Sequence, residues 1–226
     1  MRPLAVRTLL LFVAAIAAVP CAAGEAPGAI LVLEAAPGTP GSDPSSAPLR
    51  FALLKDGQVF VGGTARIEAG RLEKAEVQAL RKRVDAVRKV AGRSGEVALG
   101  GGDRSCRLLI PEENPPLLTL TGDPEKLSAP LSPAAALVLE LLRFHHPSLA
   151  PYAPASYAMS VREATLAGGC RAWNFSFPIE QAVGSQRVVP AAQAAGWPTG
   201  ALPASVCSGD RRYVVTLRPL LPDEQP

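Results

Sequence analysis

The chain has 226 residues, of which 48% are hydrophobic, and its formal net charge is +3. An apolar content this high supports a folded core, so the composition excludes a mainly disordered protein. The small net charge gives no reason to expect binding of nucleic acid or of an anionic membrane surface, and no cofactor-binding motif is present. The bias towards Ala, Arg, Gly and Pro is typical of bacteria with GC-rich genomes.

Residues 1–24 have the pattern of a secretory signal peptide, in which two arginines precede an apolar run over residues 9–19 and small residues follow. The run is shorter than the ~20 residues that a membrane-spanning helix needs. We therefore predict cleavage at the end of this segment and export to the periplasm or the extracellular space, without an integral membrane segment. A lipoprotein anchored through Cys21 is disfavoured, because Pro20 stands where lipoprotein signals carry a small residue.

Residues 25–148 are predicted to form an α+β domain. The segment 29–33 has the composition of a first strand, and residues 37–48 are rich in Gly, Pro and Ser, which predicts a flexible loop. Asp56 and Gly57 then lie between two alternating apolar runs. This pattern is typical of a β-hairpin with a two-residue turn, because such turns need positive φ.

The returning strand of this hairpin is expected to bend at Gly62 and to continue through Ile67. The strongest helix pattern follows over residues 72–91, and Gly92 is suited to end it. The apolar residues that repeat every three or four positions are Val77, Leu80, Val84, Val87 and Val90. Lysines and arginines crowd the other faces. We interpret them as a solvated surface in preference to a docking site for an acidic partner.

Further strands and a second helix complete the predicted first domain. The strands are expected over residues 96–99, 104–110 and 117–121. Residues 100–103 are interpreted as a turn, since the Lys-Ser/Thr pair of a phosphate-binding loop is missing. Ser132 is a fitting N-cap for a helix that runs to Phe144. An antiparallel sheet with two helices on one face would bury every apolar stripe.

Residues 155–226 are predicted to form a smaller β-rich module, with strands over 157–161 and 212–217. Trp173, Phe175 and Phe177 alternate with small or polar residues, which predicts a half-buried strand. We slightly favour an extension of the first sheet over a separate domain.

Three cysteines follow the signal segment. Cys170 and Cys207 lie in similar turn-like settings with glycine and serine, and we predict that they form a disulfide, as expected in an oxidising compartment. Cys106 lies in an alternating apolar run, which predicts a buried thiol.

The sequence carries no strong catalytic motif and no metal-binding motif. His145 and His146 are its two histidines. Adjacent residues on a helix point about 100° apart, so they do not readily bind one metal. We interpret them as structural, at the end of the second helix. The alternative is a small secreted hydrolase that uses His145 or His146 with a carboxylate.

An aromatic group in the second module is the remaining candidate site. It could line a pocket for an apolar or sugar ligand, or form the core of that module. Its members are Trp173, Phe175, Phe177 and Trp197.

The order of elements over residues 49–149 resembles that of the emfourin-type protease inhibitors. The similar features are the strand pair around Asp56 and Gly57, the Gly70-Arg71-Leu72 segment before the helix, the alternating strands and the Leu-rich second helix. The resemblance implies inhibitor activity but identifies no inhibitory residues. Two segments of the second half, Gly-Gly-Cys-Arg-Ala-Trp and Arg-Tyr-Val-Val-Thr-Leu-Arg, resemble those of exported bacterial proteins without a known function.

These patterns predict an exported protein that acts by binding rather than by catalysis, either in the bacterial envelope or in the secreted fraction. Its partner would be a protein or a small ligand of unknown identity, and no cofactor is expected. An inhibitor-like role is included in this prediction.

Overall fold

The computed structural model describes residues 28–35, 49–63, 66–92, 94–102, 105–111, 117–128, 130–164, 169–198 and 204–224. The predicted signal peptide with Cys21 and the predicted loop over residues 37–48 lie outside them. Within the described residues the chain is α+β. It has a mixed sheet of eight strands, three α-helices, a second sheet of four strands and one disulfide.

The first sheet has the strand order β5-β7-β6-β1-β2-β3-β4-β8. Its strands are β1 (Ala29–Ala35), β2 (Leu49–Leu54), β3 (Gln58–Gly62), β4 (Ile67–Arg71), β5 (Glu96–Gly100), β6 (Ser105–Leu109), β7 (Leu117–Gly122) and β8 (Ala150–Pro151). Neighbouring strands are antiparallel except β5 and β7, which are parallel. The prediction of a purely antiparallel sheet is therefore wrong at this edge, because β7 inserts between β5 and β6, the strands on either side of the turn predicted at residues 100–103.

The hairpin of β2 and β3 is confirmed, and its turn is stabilised by local hydrogen bonds. Gly57 has a φ of 86°, and the backbone N–H of Gln58 donates to Asp56 Oδ1 at 3.0 Å. The guanidinium of Arg71 also donates to the backbone carbonyl and the carboxylate of Asp56, each at 2.9 Å. The end of β4 therefore holds the turn in place.

The returning strand ends at Gly62 and does not continue through Ile67, contrary to the prediction from sequence. Gly62 has a φ of 127°, and a Cβ there would collide with the carbonyl of Arg66. The N–H of Gly63 donates to that same carbonyl at 3.1 Å. The chain therefore reverses at this point, and Ile67 begins β4, which pairs antiparallel with β3.

The three helices are α1 (Lys74–Ala91), α2 (Pro133–Leu142) and α3 (Ala191–Ala194). The helix pattern of α1 is confirmed, with a capping box between Glu73 and Glu76 and with Gly92 as its C-cap. Val90 differs from expectation, since its side chain is 71% exposed. At 100° per residue it lies about 80° from Leu80, whereas Ala91 lies in line and is buried.

The main core contains side chains of both long helices together with alternate residues of β1 and β2, such as Leu33 and Phe51. Cys106 is buried in it. The intervening strand residues, such as Val32 and Ala52, belong to a second apolar cluster that includes Leu221 from the end of the chain. Opposite sides of these strands are therefore both covered.

The second sheet has the strand order β10-β9-β12-β11, and all of its pairs are antiparallel. Its strands are β9 (Ser156–Glu163), β10 (Gln186–Pro190), β11 (Ala204–Ser208) and β12 (Arg211–Pro219). The sequence predicted β9 and β12, but not β10 and β11. These strands form a sheet of their own rather than an extension of the first.

Candidate functional site

The aromatic group predicted from the sequence is brought together beside the second sheet. The ring of Trp173 lies 4.8 Å from Phe175, 5.6 Å from Phe177 and 5.9 Å from Trp197, measured between centroids. Phe175 and Trp197 lie 4.8 Å apart. The four rings therefore contact one another as a single cluster.

The aromatic segment is not the strand that its alternation predicted. Arg171 forms one isolated β-bridge with Val206, and residues 172–178 after it belong to no helix or strand. The Trp173 indole N–H donates to the carbonyl of Phe177 at 2.5 Å, which closes a loop of five residues. The indole N–H of Trp197 donates to the Asn174 side chain at 2.7 Å. Because indole donors find partners when buried, these bonds favour a folded loop over an extended strand.

The rings divide into a buried pair and a partly exposed pair. Phe175 and Trp197 are 8% and 6% exposed and belong to the core of the second sheet. Trp173 and Phe177 are partly buried and pack against that core. The cluster therefore contributes to the core of the module, and its two outer rings keep part of their area at the surface.

Two arginines flank this cluster. The guanidinium carbon of Arg187 lies 4.7 Å from the ring centroid of Phe177, and that of Arg171 lies 5.3 Å from Trp197. At these distances a cation is attracted to the ring face. We call Arg171, Trp173, Phe177 and Arg187 the aromatic surface. It offers apolar ring area together with positive charge.

The predicted disulfide joins Cys170 to Cys207 and ties the aromatic segment to β11. Next to it, the backbone N–H of Arg171 donates to the carbonyl of Ser205 at 2.9 Å, and its guanidinium donates to the Gly196 carbonyl at 2.6 Å. The aromatic segment is thus attached at one end by a covalent bond and by backbone contacts. Such attachment limits the entropy that the segment loses on binding.

The two histidines are separated by the structure. His145 is exposed, whereas His146 is partly buried and stacks on Phe144 with centroids 6.4 Å apart. His146 Nδ1 lies 2.7 Å from Ser148 Oγ, and its Nε2 lies 3.4 Å from Glu76 Oε1. The Ser148 hydroxyl, the His146 imidazole and the Glu76 carboxylate therefore form a chain of contacts in space.

The contacts of Ser148 favour a structural role for this group. Its hydroxyl accepts a hydrogen bond from the backbone N–H of Arg71 at 2.9 Å and donates to the Arg71 carbonyl at 3.1 Å. A nucleophilic serine needs a hydroxyl that can give its proton to the imidazole. Here the carbonyl of Arg71 competes with the imidazole for that proton, and the contacts of Ser148 and His146 join the loop after α2 to the end of β4 and to α1.

A separate cavity of about 130 Å³ lies between α1 and the first sheet. Apolar side chains such as Leu53, Leu80 and Val84 line it, together with Arg81 and Asp85. The sequence did not predict it, because its walls come from elements far apart in the chain. Nothing in its lining selects one class of ligand.

The described residues hold neither a metal site nor a membrane-spanning helix. They contain no cluster of three or more His, Cys, Asp or Glu side chains that could hold a metal ion. They also contain no helix that is long and apolar enough to cross a membrane.

Comparison with known proteins does not assign the chain to a family. No protein-family model matches the sequence, and no similar curated protein or solved structure was found.

Proposed function

We propose that the chain is an exported binding protein that contacts its partner through the aromatic surface. The observation that carries this proposal is the position of Arg187 on the partly exposed ring of Phe177. Aromatic rings and arginines are enriched where proteins bind each other, because they bury large apolar area while still making polar contacts. Trp173 extends the same area.

Export is part of the proposal. It is supported by the signal-like pattern of residues 1–24 and by the Cys170–Cys207 disulfide, since disulfides persist in oxidising compartments. The proposal also includes the finer arrangement in which both long helices cover one face of the first sheet, because both contribute to the same core.

The test is capture of the partner by full-length protein made in the organism that encodes it. Reversal of charge in Arg187→Glu would place a carboxylate against Phe177, so we expect the captured partner to fall about tenfold, the effect of ~1.4 kcal/mol. Lys82→Glu is the matched control, because Lys82 is an exposed cation on α1. Equal capture by the Arg187→Glu variant and the wild type would contradict the proposal.

Protein made in the organism that encodes it also tests export. Peptide mapping under non-reducing conditions should find a mature N-terminus near residue 25 and the Cys170–Cys207 bridge. An uncleaved N-terminus would remove the exported part of the proposal. Inhibition of secreted proteases, implied by the emfourin-like segment, stays a separate prediction for the first sheet.

The secreted hydrolase is the second candidate. The pairing of His146 with Glu76 is the observation that favours it. We place it below the binding protein because the hydroxyl nearest to His146 is already bound to the backbone of Arg71.

A further inference from the structure

The two edges of the second sheet differ in how their backbone groups are used. In the order β10-β9-β12-β11, the edge strands are β10 and β11. An edge strand presents N–H and C=O groups that can pair with another chain unless something covers them. The direction of each group in β10 follows from the pairing register.

The backbone of β10 points towards β9 at every second residue. The N–H of Ala191 donates to the carbonyl of Ala155 at 2.9 Å, so these residues form a hydrogen-bonded pair. In the same register the next bonded pairs are those of Val189 and Arg187. The intervening residues, Gln186 and Val188, therefore direct their N–H and C=O groups away from the sheet.

Backbone hydrogen bonds on the β12 side of β9 agree with this assignment of the outward groups of β10. The N–H of Leu220 donates to the carbonyl of Ser156, and the N–H of Ala164 donates to the carbonyl of Arg212. The even-numbered residues of β9 therefore bond to β12, which leaves its odd-numbered residues for β10. Within the residues that the structure describes, no hydrogen bond reaches the outward backbone groups of Gln186 and Val188.

The opposite edge is covered. By the same register, Ser205 directs its carbonyl outward from β11, and that carbonyl accepts the N–H of Arg171. The disulfide of Cys170 holds this contact in place. In the described part of the second sheet, the edge that stays available is thus β10.

The side chains of β10 suit an added strand. Val188 is 52% exposed, on the face opposite to the buried Val189. Arg187 lies on the same face as Val189 and carries its charge to the aromatic surface at Phe177. An added strand would therefore meet an apolar side chain on one face and a cation beside an aromatic ring on the other.

We propose that β10 receives an extended segment of the partner protein as a fifth strand of the second sheet. The segment carries a carboxylate beside Arg187 and an apolar residue beside Val188. This inference rests on the proposed function and specifies its partner. Strand addition derives affinity from backbone hydrogen bonds and specificity from alternate side chains.

The length of β10 limits the strength of this contact. Its outward groups are the N–H and C=O of Gln186 and Val188, because Pro190 has no N–H and its carbonyl begins the hydrogen bonding of α3 as the N-cap. An added strand of about five residues would bury less than the roughly 1,200 Å² of a stable complex. The interaction is thus a transient one.

The test uses proline to remove one outward N–H. Val188→Pro leaves the bonds to β9 intact, because edge strands accept proline where the N–H faces outward. The probe is a labelled five-residue peptide of alternating valine and glutamate with blocked ends, and binding is followed by fluorescence anisotropy on the full chain. We expect Val188→Pro to weaken binding about tenfold or more.

Val188→Thr is the matched control, because it keeps the N–H and should bind within about threefold of the wild type. If Val188→Pro fails to fold by circular dichroism, Gln186→Pro replaces it, since that N–H is also outward. A peptide with lysine in place of glutamate should bind more weakly. Failure of the glutamate peptide to bind, or equal binding by the proline and threonine variants, would overturn strand addition.

Capture of the partner distinguishes failure of strand addition at β10 from failure of the proposed function. A partner lost with Arg187→Glu but retained by Val188→Pro would overturn strand addition and leave the aromatic surface in place. A partner retained by both variants would overturn both proposals. A dimer in solution that Val188→Pro dissociates would show that the occupant is a second copy of this chain, and would overturn the acidic partner.

Discussion

Glu34 carries a carboxylate at a largely buried cross-strand position. It pairs with Arg107 of β6 across the sheet, and its Oε2 lies 3.5 Å from that guanidinium. Arg218 of β12 and Glu224 also act on it electrostatically. Burial raises the pKa of Glu34 above its usual value of 4.5, while Arg107 and Arg218 lower it in part. Desolvation is the larger effect.

This shift predicts a pH dependence of stability. The folded state holds the Glu34 proton more tightly than the unfolded state does, so protonation of Glu34 stabilises the fold. This contribution to the free energy of unfolding is complete below about pH 4.5 and is lost as pH rises through the raised pKa of Glu34. Denaturant titrations across this window should show the wild type losing stability relative to Glu34→Gln. Glu96→Gln, at an exposed position, is the control. A constant difference between wild type and Glu34→Gln would contradict the prediction.

Several residue-scale features could be predicted from sequence because they depend on near neighbours. Ser132 caps α2 by accepting the N–H of Ala135, as expected. The Cys170–Cys207 pair was also predicted, from the similarity of two turns. The environment of Glu34 could not be predicted, since its partners come from β6 and from the last described segment, both far from Glu34 in the chain.

At the scale of elements, Ser148 joins three parts of the fold. It bonds the backbone of Arg71 at the end of β4 and contacts His146, which in turn lies beside Glu76 of α1. A Cβ on Gly70 would come within 2.5 Å of the Ser148 hydroxyl, so glycine lets the loop approach the strand this closely.

We expect Ser148→Ala to lower the free energy of unfolding by about 1 kcal/mol, the usual net value of a hydrogen bond. Chemical denaturation measures this change, and Ser128→Ala, at an exposed position outside any helix or strand, is the control. A different outcome would favour the hydrolase over the structural role. In that case the wild type would hydrolyse an ester, and Ser148→Ala would keep full stability but lose this activity.

The success of sequence patterns for whole elements depended on how local the pattern was. The hairpin at Gly57 and the helix α1 carry their own signals. The short strands β10 and β11 do not, because five residues such as those of Gln186–Pro190 become a strand through pairing with β9. In the aromatic segment, two indole hydrogen bonds outweighed a strand-like alternation.

At the scale of the molecule, contacts from the end of the chain connect the two sheets. The Tyr152 hydroxyl donates to the carbonyl of Leu220 at 3.2 Å, and its ring lies edge-on to Phe60 at 5.1 Å. Leu221 is 4% exposed in the apolar cluster on β1 to β3. The parallel pairing of β5 and β7 and this docking of the second half could not be read from periodicity, since neither has a local signal.

We expect Leu221→Ala to cost about 2–5 kcal/mol and to uncouple the sheets, because it leaves a cavity at their junction. Both tryptophans belong to the aromatic cluster, so their fluorescence follows the second sheet, whereas far-ultraviolet circular dichroism follows the whole chain. The two unfolding curves should coincide in the wild type and separate in the variant. Exposed Val90→Ala is the control, and coincident curves for Leu221→Ala would contradict the coupling.

The place of Leu221 has a consequence for the time at which the first sheet can be completed. One of the first described strands, β1, is covered on one side by a residue near the last position of the chain. A ribosome delivers a chain from its N-terminus, so the packing of Leu221 into the cluster on β1 can form only after β12 has been synthesised. Contacts between such distant residues also form slowly. The apolar side of β1 would therefore lack this contact, and stay more accessible to chaperones, until Leu221 has emerged.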